Sequence, residues 1–462
     1  MAIHRIDSSS VARLLGNWTQ RDLPLSTSLA GSLRKLIVGG WIAQGSFLPS
    51  QRELARTLGI SRGTLNVAYH LLESEGYLVT QQGSGTRVRL GKTFHRIPSD
   101  GRLFSLGNSS KNTTDLSTGA LPSSRIARKI LSKGLGSHIE PYLLTDGYFP
   151  EGIPSLRESI ARTLTDDGLP TVAENILVTT GAQQATNLVF STFTSPGDRV
   201  LTENPTYRGS LEVFRRQGLR TDTVVNHTVT TERHLETKKL TQSAQALYVQ
   251  TGINNPTGLS LSSHMRSQLA HRAGQTTMLI VEDVCSYDLT FDATPTQTLA
   301  NLLPAHQVVM IGTLSKLFWG GLRVGWIRSS AERITQLTQM RKQIDISTSI
   351  HDQLYAVEFL RHVNPARKER ADMLSLAFQT TTDMITSYFP QWTWITPAGG
   401  TGLWVDTGRD TAAFAARALQ LNIKLAPGAS FSPLGENSTY LRFPLWHEAE
   451  VLETAFRKLQ TI

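Results

Sequence analysis

Leu177-Val178-Thr179-Thr180-Gly181-Ala182-Gln183-Gln184 passes from a short apolar run through a glycine into a helical pattern. Gly181 lets the backbone turn. The free amides of Ala182 and Gln183 then open a helix, a place where phosphate binds without needing a lysine. Related passages recur downstream. Asn254-Asn255-Pro256-Thr257-Gly258 follows an apolar run at 246–250, and Glu282-Asp283 ends one at 278–282. Thr313-Leu314-Ser315-Lys316 follows a run at 308–312, with Gly320-Gly321-Leu322-Arg323 just after it. Further runs lie at 176–180, 199–203 and 324–328. Most are short and apolar, as in strands buried on both faces of a parallel sheet, and helical patterns separate them. The reading is an α/β fold with a central, mostly parallel sheet. Its polar residues gather at the C-terminal ends of strands, where open α/β sheets bind ligands.

The chain has 462 residues and a mass of 50.9 kDa, enough for one small and one large domain. With 39% hydrophobic and 18% charged residues it reads as soluble and globular rather than disordered. The single cysteine, Cys285, allows no intrachain disulfide and no cysteine-based zinc site, which fits a reducing compartment. No apolar run has membrane-spanning length, and the start MAIHRIDSSS has no signal-peptide core. Secreted, membrane and disulfide-scaffold classes are set aside, and the expected location is the cytoplasm. No metal site and no internal repeat is expected.

The formal charge of +9 is uneven, because residues 1–92 hold eleven Lys/Arg against five Asp/Glu. A basic head on a nearly balanced body points to a polyanion partner. Within the head, Leu29, Leu33, Leu36 and Ile37 share one helical face. Ser50-Gln51-Arg52-Glu53 has the form of a capping box, in which Ser50 caps a helix and Glu53 reaches back. That helix stops at Gly59. Ser61 caps the next, which carries Leu65, Ala68, Tyr69 and Leu72 at helical spacing and ends at Gly76. Two helices joined by a tight turn, followed by a hairpin with Gly83-Ser84-Gly85 at its tip, form a winged helix-turn-helix signature. The second helix of such a unit enters the major groove. Arg62 can fork onto guanine and Asn66 can pair with adenine, while Ser61 and Thr64 can hold phosphates. Arg52 can reach phosphate, and the tip Gly83, Ser84 and Gly85 can approach the minor groove. Residues 91–114 are polar, rich in Gly, Ser and Asn and without helical period, so they read as a linker. The expected domains are a DNA-binding head at 10–90, the linker at 91–114 and a body at 115–462.

The head resembles the winged-helix domain of GntR-type bacterial regulators. The resemblance rests on Leu48-Pro49-Ser50-Gln51-Arg52-Glu53-Leu54-Ala55, Leu58-Gly59-Ile60-Ser61-Arg62-Gly63-Thr64, Glu75-Gly76-Tyr77 and Gly83-Ser84-Gly85-Thr86. It implies DNA contact by Arg52, Arg62, Thr64 and the wing glycines. A lysine at a strand end can carry pyridoxal phosphate as a Schiff base, and a carboxylate such as Asp283 can keep the pyridine nitrogen protonated. From about Asp115 onward the body resembles fold-type I pyridoxal-phosphate enzymes of the aspartate aminotransferase kind. Besides the strand-end passages it shares Tyr148-Phe149-Pro150-Glu151-Gly152-Ile153-Pro154-Ser155-Leu156-Arg157, Pro196-Gly197-Asp198 and Glu203-Asn204-Pro205-Thr206-Tyr207. Head and body in this order resemble the MocR subgroup of GntR regulators, as does the leader Leu14-Leu15-Gly16-Asn17-Trp18.

The resemblance implies a large pyridoxal-phosphate-binding domain with a smaller C-terminal α+β subdomain. It makes Lys316 the Schiff-base lysine, Asp283 the partner of the pyridine nitrogen and Asn255 that of the ring hydroxyl. Tyr207 would stack on the ring. Gly181, Ala182, Gln183, Thr313, Ser315 and Arg323 would form the phosphate site, with Tyr148 reaching the phosphate of a neighbouring subunit. Arg442 would clamp the carboxylate of an effector. One position departs from the family. A Tyr often lies three residues after the Asp, but here Ser286 stands there and Tyr287 follows, so either Tyr287 turns in or that bond is missing. The expectation is a cytoplasmic, nucleoid-associated transcriptional regulator that binds a double-stranded DNA operator and carries pyridoxal 5'-phosphate. It would sense an amine, an amino acid or the cofactor itself, as a head-to-tail, domain-swapped homodimer with little or no aminotransferase activity. The alternatives are an aminotransferase with an accessory DNA-binding head, which would show multiple turnovers, and a cofactor-free module, which would show no visible absorption.

Overall fold

The computed structural model describes residues 5–19, 24–39, 41–42, 45–81, 85–89, 112–226, 234–235, 240, 243–295 and 297–462. Gly83, Ser84 and most of the expected linker lie outside the described residues.

In the head, helices α1 (Ser8–Leu15), α2 (Leu25–Val38), α3 (Gln51–Leu58) and α4 (Arg62–Ser74) precede the hairpin β1 (Leu78–Gln81) and β2 (Gly85–Val88). Val11, Leu29, Leu33, Leu54, Leu65, Ala68, Leu72 and Val88 are fully buried against one another. The helical spacing of those apolar residues therefore forms the head's core. Ser50 Oγ accepts from Glu53 N at 3.2 Å, and Ser61 Oγ from Thr64 N at 3.0 Å. The second half of the expected capping box is absent, since the Glu53 carboxylate instead accepts from Ser8 Oγ at 3.0 Å and ties α1 to α3. Arg34 on α2 forks onto Glu75 at the end of α4.

Among the described residues the body has two sheets. Its strands are β3 (Thr114–Leu116), β4 (Ile176–Thr179), β5 (Arg199–Asn204), β6 (Arg220–Asn226), β7 (His234–Leu235), β8 (Ala246–Val249), β9 (Leu279–Asp283), β10 (Val308–Thr313), β11 (Gly325–Arg328), β12 (Thr393–Trp394), β13 (Gly402–Asp406), β14 (Ile423–Pro427) and β15 (Tyr440–Pro444). Among the described residues the large sheet runs β4-β11-β10-β9-β8-β5-β6-β7. The strands from β10 to β6 pair in parallel, and β4, β8, β9 and β11 are buried throughout. β11 runs antiparallel to both its neighbours. Only residues 314–324 separate it from β10, too few for the crossover a parallel neighbour needs. That short return carries Lys316.

The second sheet, ordered β12-β13-β15-β14-β3, forms the smaller subdomain with its own core around Phe414, Phe443 and Phe456. It is not purely C-terminal as expected. β3 pairs in parallel with β14 and completes the sheet from the start of the body.

Candidate cofactor pocket and nucleic-acid interface

The ends of β4 and β10 meet across β11, with Thr179 and Thr313 both in register with Gly325. A Cβ on Gly325 would lie 2.8 Å from the backbone of Gly181, so glycine permits this approach. Gly181 itself has φ +104 and opens α5 (Ala182–Phe193) with no side-chain cap. The Ala182 and Gln183 amides are thus first-turn donors of an uncapped helix. Arg323, at φ +53, donates to Thr180 O at 2.8 Å and packs on Gly181. Thr313 Oγ1 lies 3.0 Å from Ser315 Oγ and accepts from Ser315 N at 3.2 Å. These residues form one polar cradle, suited to phosphate.

Beside the cradle, Asp283 ends β9 and is 5% exposed. Its Oδ1 accepts from Cys285 N at 2.8 Å, and its Oδ2 accepts from the Tyr248 hydroxyl and from Gln250 Nε2, the latter at 3.4 Å. Gln250 Oε1 in turn accepts from Asn255 N at 3.0 Å. Asn255 Oδ1 is buried without a partner among the described residues. Tyr207 caps α6 (Arg208–Arg216), and burial pushes its phenol up to about 12, with Asp283 acting in the same direction. Gly209 leaves room for that ring, since a Cβ there would lie 2.4 Å from it.

Lys316 Nζ donates to Gly119 O at 2.9 Å. Burial first, and then repulsion from Arg442 and Arg208, bring its amine down to about 8. Roughly a tenth of it is therefore neutral and nucleophilic at pH 7. Arg442, 3% exposed on β15, donates to Thr401 Oγ1 at 2.7 Å. Its guanidinium packs on two glycines, where a Cβ would lie 2.1 Å away at Gly119 and 2.6 Å at Gly402. Burial and neighbouring Arg208 bring it down to about 9, so it stays cationic at neutral pH. Arg208 donates to Ser117 O at 3.2 Å, and burial brings it to about 10. Three buried cations thus lie near enough to repel one another, which favours an anionic group among them.

Two tyrosines stand apart from this cluster within the chain. Tyr287 does not turn toward Asp283. It lies 5.9 Å from the Arg367 guanidinium and lines a cavity with Asp167, Asp288 and Arg367. Tyr148 is 60% exposed and makes no side-chain hydrogen bond among the described residues. Sequence reading also missed Tyr248, Gln250, Arg208 and Gly119. Tyr248 was hidden as one apolar residue of a buried strand. Arg208, directly after Tyr207, was an available signal.

On the head, Arg52, Ser61, Arg62 and Asn66 are exposed and Thr64 is partly so, while the buried face of α4 packs inward. Ser61 Oγ and Thr64 Oγ1 lie 2.8 Å apart. Gly85 stands at the start of β2 with φ +93. No helix among the described residues is long and apolar enough to cross a membrane, and no cluster of metal-ligating residues is present among them.

Residues 114–459 match the family of aminotransferases of class I and II, and residues 25–88 match the gntR family of bacterial regulatory proteins. The uncharacterized HTH-type transcriptional regulator YisV of Bacillus subtilis (strain 168) is 27% identical over 460 residues, covering 91% of this chain and 92% of that protein. The HTH-type transcriptional regulator NorG of Staphylococcus aureus (strain N315) is 28% identical over 336 residues, covering 68% of this chain and 75% of its own. Among solved structures, the α-aminoadipate aminotransferase LysN of Thermus thermophilus, complexed with N-(5'-phosphopyridoxyl)-L-leucine, superposes with a TM-score of 0.68 at 25% identity. It covers 80% of this chain and 96% of its own. Pyrococcus horikoshii kynurenine aminotransferase gives 0.69 at 22% identity, covering 81% and 94%.

Proposed function

Since this chain belongs to the aminotransferase class I and II family and carries a gntR-family head, we propose that it is a transcriptional regulator of the MocR type. It binds operator DNA through its head and holds pyridoxal phosphate on Lys316. The observation that carries the reading is the buried Lys316 amine facing Arg442 and Arg208 in a chain that begins with an exposed recognition helix. The relatives named as HTH-type regulators support it.

The residues present fit the cofactor. The amides of Ala182 and Gln183, with Thr313, Ser315 and Arg323, would take the phosphate. Asp283, held by Tyr248, would face the pyridine nitrogen, and the unpartnered Asn255 Oδ1 would accept from the ring hydroxyl. Tyr207 would lie along the ring. The bound group supplies an aldehyde carbon that condenses with primary amines and a ring that draws electrons from it. The chain's residues do the rest. Lys316 offers an amine of which roughly a tenth is neutral at pH 7. Arg442 and Arg208 orient an incoming amine by its carboxylate. Gly119 O gives a displaced lysine ammonium an acceptor.

A primary amine is therefore the class of effector, and an amino acid is favoured by the two arginines. The orientation of Tyr287 toward Arg367 leaves the ring hydroxyl without a phenol from that segment, which favours sensing over efficient turnover. A homodimer completes the pocket in this reading, with the exposed Tyr148 reaching the partner's phosphate site, and the heads exchanged head to tail. The domains are the head at 10–90, the linker at 91–114 and the body at 115–462, and the location is the cytoplasm, on the nucleoid.

Borohydride reduction of the pyridoxal-phosphate-loaded chain tests the assignment. The cofactor should be trapped covalently in the native chain and not in Lys316→Ala, whose melting curve stays cooperative. Covalent trapping in Lys316→Ala would contradict it.

A further inference from the structure

Lys316 sits in the turn 314–318 between β10 and β11, outside both sheets, and that turn is held from a distant helix. Helix α7 (Val363–Tyr388) is 26 residues long. Val363 and Ala366 at its start pack in the core that contains Leu314, Leu317 and Phe318. Leu374 and Ile385 pack in the core of the smaller subdomain. α7 thus joins the two parts of the body, and Arg370 lies between its two apolar ends, 1% exposed.

The Arg370 guanidinium meets three main-chain carbonyls. Nε donates to Leu317 O at 2.8 Å, and Nη2 donates to Phe318 O at 2.9 Å and to Pro122 O at 2.8 Å. Leu317 and Phe318 directly follow Lys316. Pro122 lies three residues past Gly119, whose carbonyl accepts from the Lys316 amine. The two segments also meet each other, since Ser124 N donates to Phe318 O at 2.9 Å. Glu369, beside Arg370 on α7, holds the second segment further along. Its carboxylate accepts from Arg125 N at 2.6 Å, where the helix Arg125–Lys133 begins. A buried cation is tolerated when its donors are satisfied, and only a planar fork reaches several carbonyls at once. Burial brings Arg370 down to about 10, so it stays cationic at neutral pH.

We propose that Arg370 is a positioning residue for Lys316, fixing both the turn that carries the lysine and the segment that carries its carbonyl acceptor. Arg370 is not among the groups that lower the lysine's proton affinity, which are burial first and then Arg442 and Arg208. It acts by placement. While the turn is held, the amine stays buried beside those two cations. When the turn is released, the amine reaches water and regains its ordinary affinity for a proton. The consequence for cofactor capture rests on the assignment of Lys316 above. The positioning itself is a property of the cofactor-free chain.

Trace acetylation of the cofactor-free full chain with acetic anhydride, across pH and read at Lys316 by mass spectrometry, tests it. In the native chain labelling should rise with a midpoint of about 8. Arg370→Lys keeps the charge and loses the fork. It should move the midpoint toward the ordinary 10.5 and slow labelling at pH 7 about threefold. Arg370→Met loses both and should slow it about tenfold. Arg341 is the control. It is 0% exposed and donates to Pro150 O at 3.0 Å and Thr348 Oγ1 at 2.6 Å, away from the lysine turn. Arg341→Lys should leave the midpoint at about 8. An unchanged midpoint in Arg370→Lys would overturn the proposal, whether or not Arg370→Met folds. So would an equal shift in Arg341→Lys, which would mark general loosening. A native midpoint of about 8 with no cofactor trapped by borohydride would count against the cofactor assignment alone.

Discussion

Lys316 is where sequence and environment combine most directly. The passage Thr313-Leu314-Ser315-Lys316 marks it, but its proton affinity comes from neighbours far apart in sequence, Arg442 and Arg208. A depressed lysine pKa in the folded chain means that the unfolded chain binds the proton more tightly. Lys316 therefore weighs against folding below about pH 8, and that penalty is relieved as pH rises from about 8 toward the ordinary 10.5. For function the sign is simpler. The rate of pyridoxal-phosphate capture, followed by absorbance, should climb with pH and level off above about 8. Arg442→Met removes a neighbouring cation, raises the lysine's affinity for its proton, and should slow capture at pH 7 by about two- to tenfold. Gly119 gives a second test. A Cβ there would lie 2.1 Å from Arg442 Nη2, so Gly119→Ala must displace the clamp. It should lower stability by about 1–3 kcal/mol in a thermal melt. It should also weaken spectral titration by amino acids more than by simple amines. Gly119 could not be found from sequence, because nothing local says that a strand end crosses a lysine from another part of the chain.

Secondary structure was more legible than side-chain direction. All six strand-like runs of the sequence are strands, shifted by at most one residue at either end. Apolar burial on both faces leaves a period-free run that is hard to mistake once turn residues flank it. The direction of β11 was not legible, because it follows from the brevity of the return through Lys316 rather than from the strand's own residues. The fate of Tyr287 was open for a similar reason, since Arg367 and Asp167, which with the adjacent Asp288 form its surroundings, come from two other segments. In the head, α4 places Leu65, Ala68, Tyr69 and Leu72 inward and Arg62 and Asn66 outward. Arg62→Ala should weaken specific DNA binding by about 1–3 kcal/mol and relax preference at one base of each half-site. Arg52→Ala should weaken all sequences about equally and reduce the salt slope by about one. A binding-site selection on both variants, at two salt concentrations, separates base contact from phosphate contact.

At the scale of the molecule, the division into basic head and balanced body was visible in the charge distribution alone. The contact between them was not. It is built from Gly39, Trp41 and Lys35 on one side and Thr221, Arg199, Arg220 and Glu436 on the other, residues that carry no motif. A regulator needs two sites whose ligands each favour one of the same states. In the proposed reading the pocket and the recognition helix would be such sites. The most direct measurement is operator affinity of the loaded chain against a panel of primary amines and amino acids, each first scored by its shift of the cofactor absorbance. Ligands that convert the spectrum should change operator affinity by about 5–150-fold, the usual range of allosteric coupling, and Arg442→Met should blunt the response to amino acids. Full spectral conversion by every hit, with operator affinity unchanged and multiple turnovers with a keto acid, would contradict the account and identify an aminotransferase.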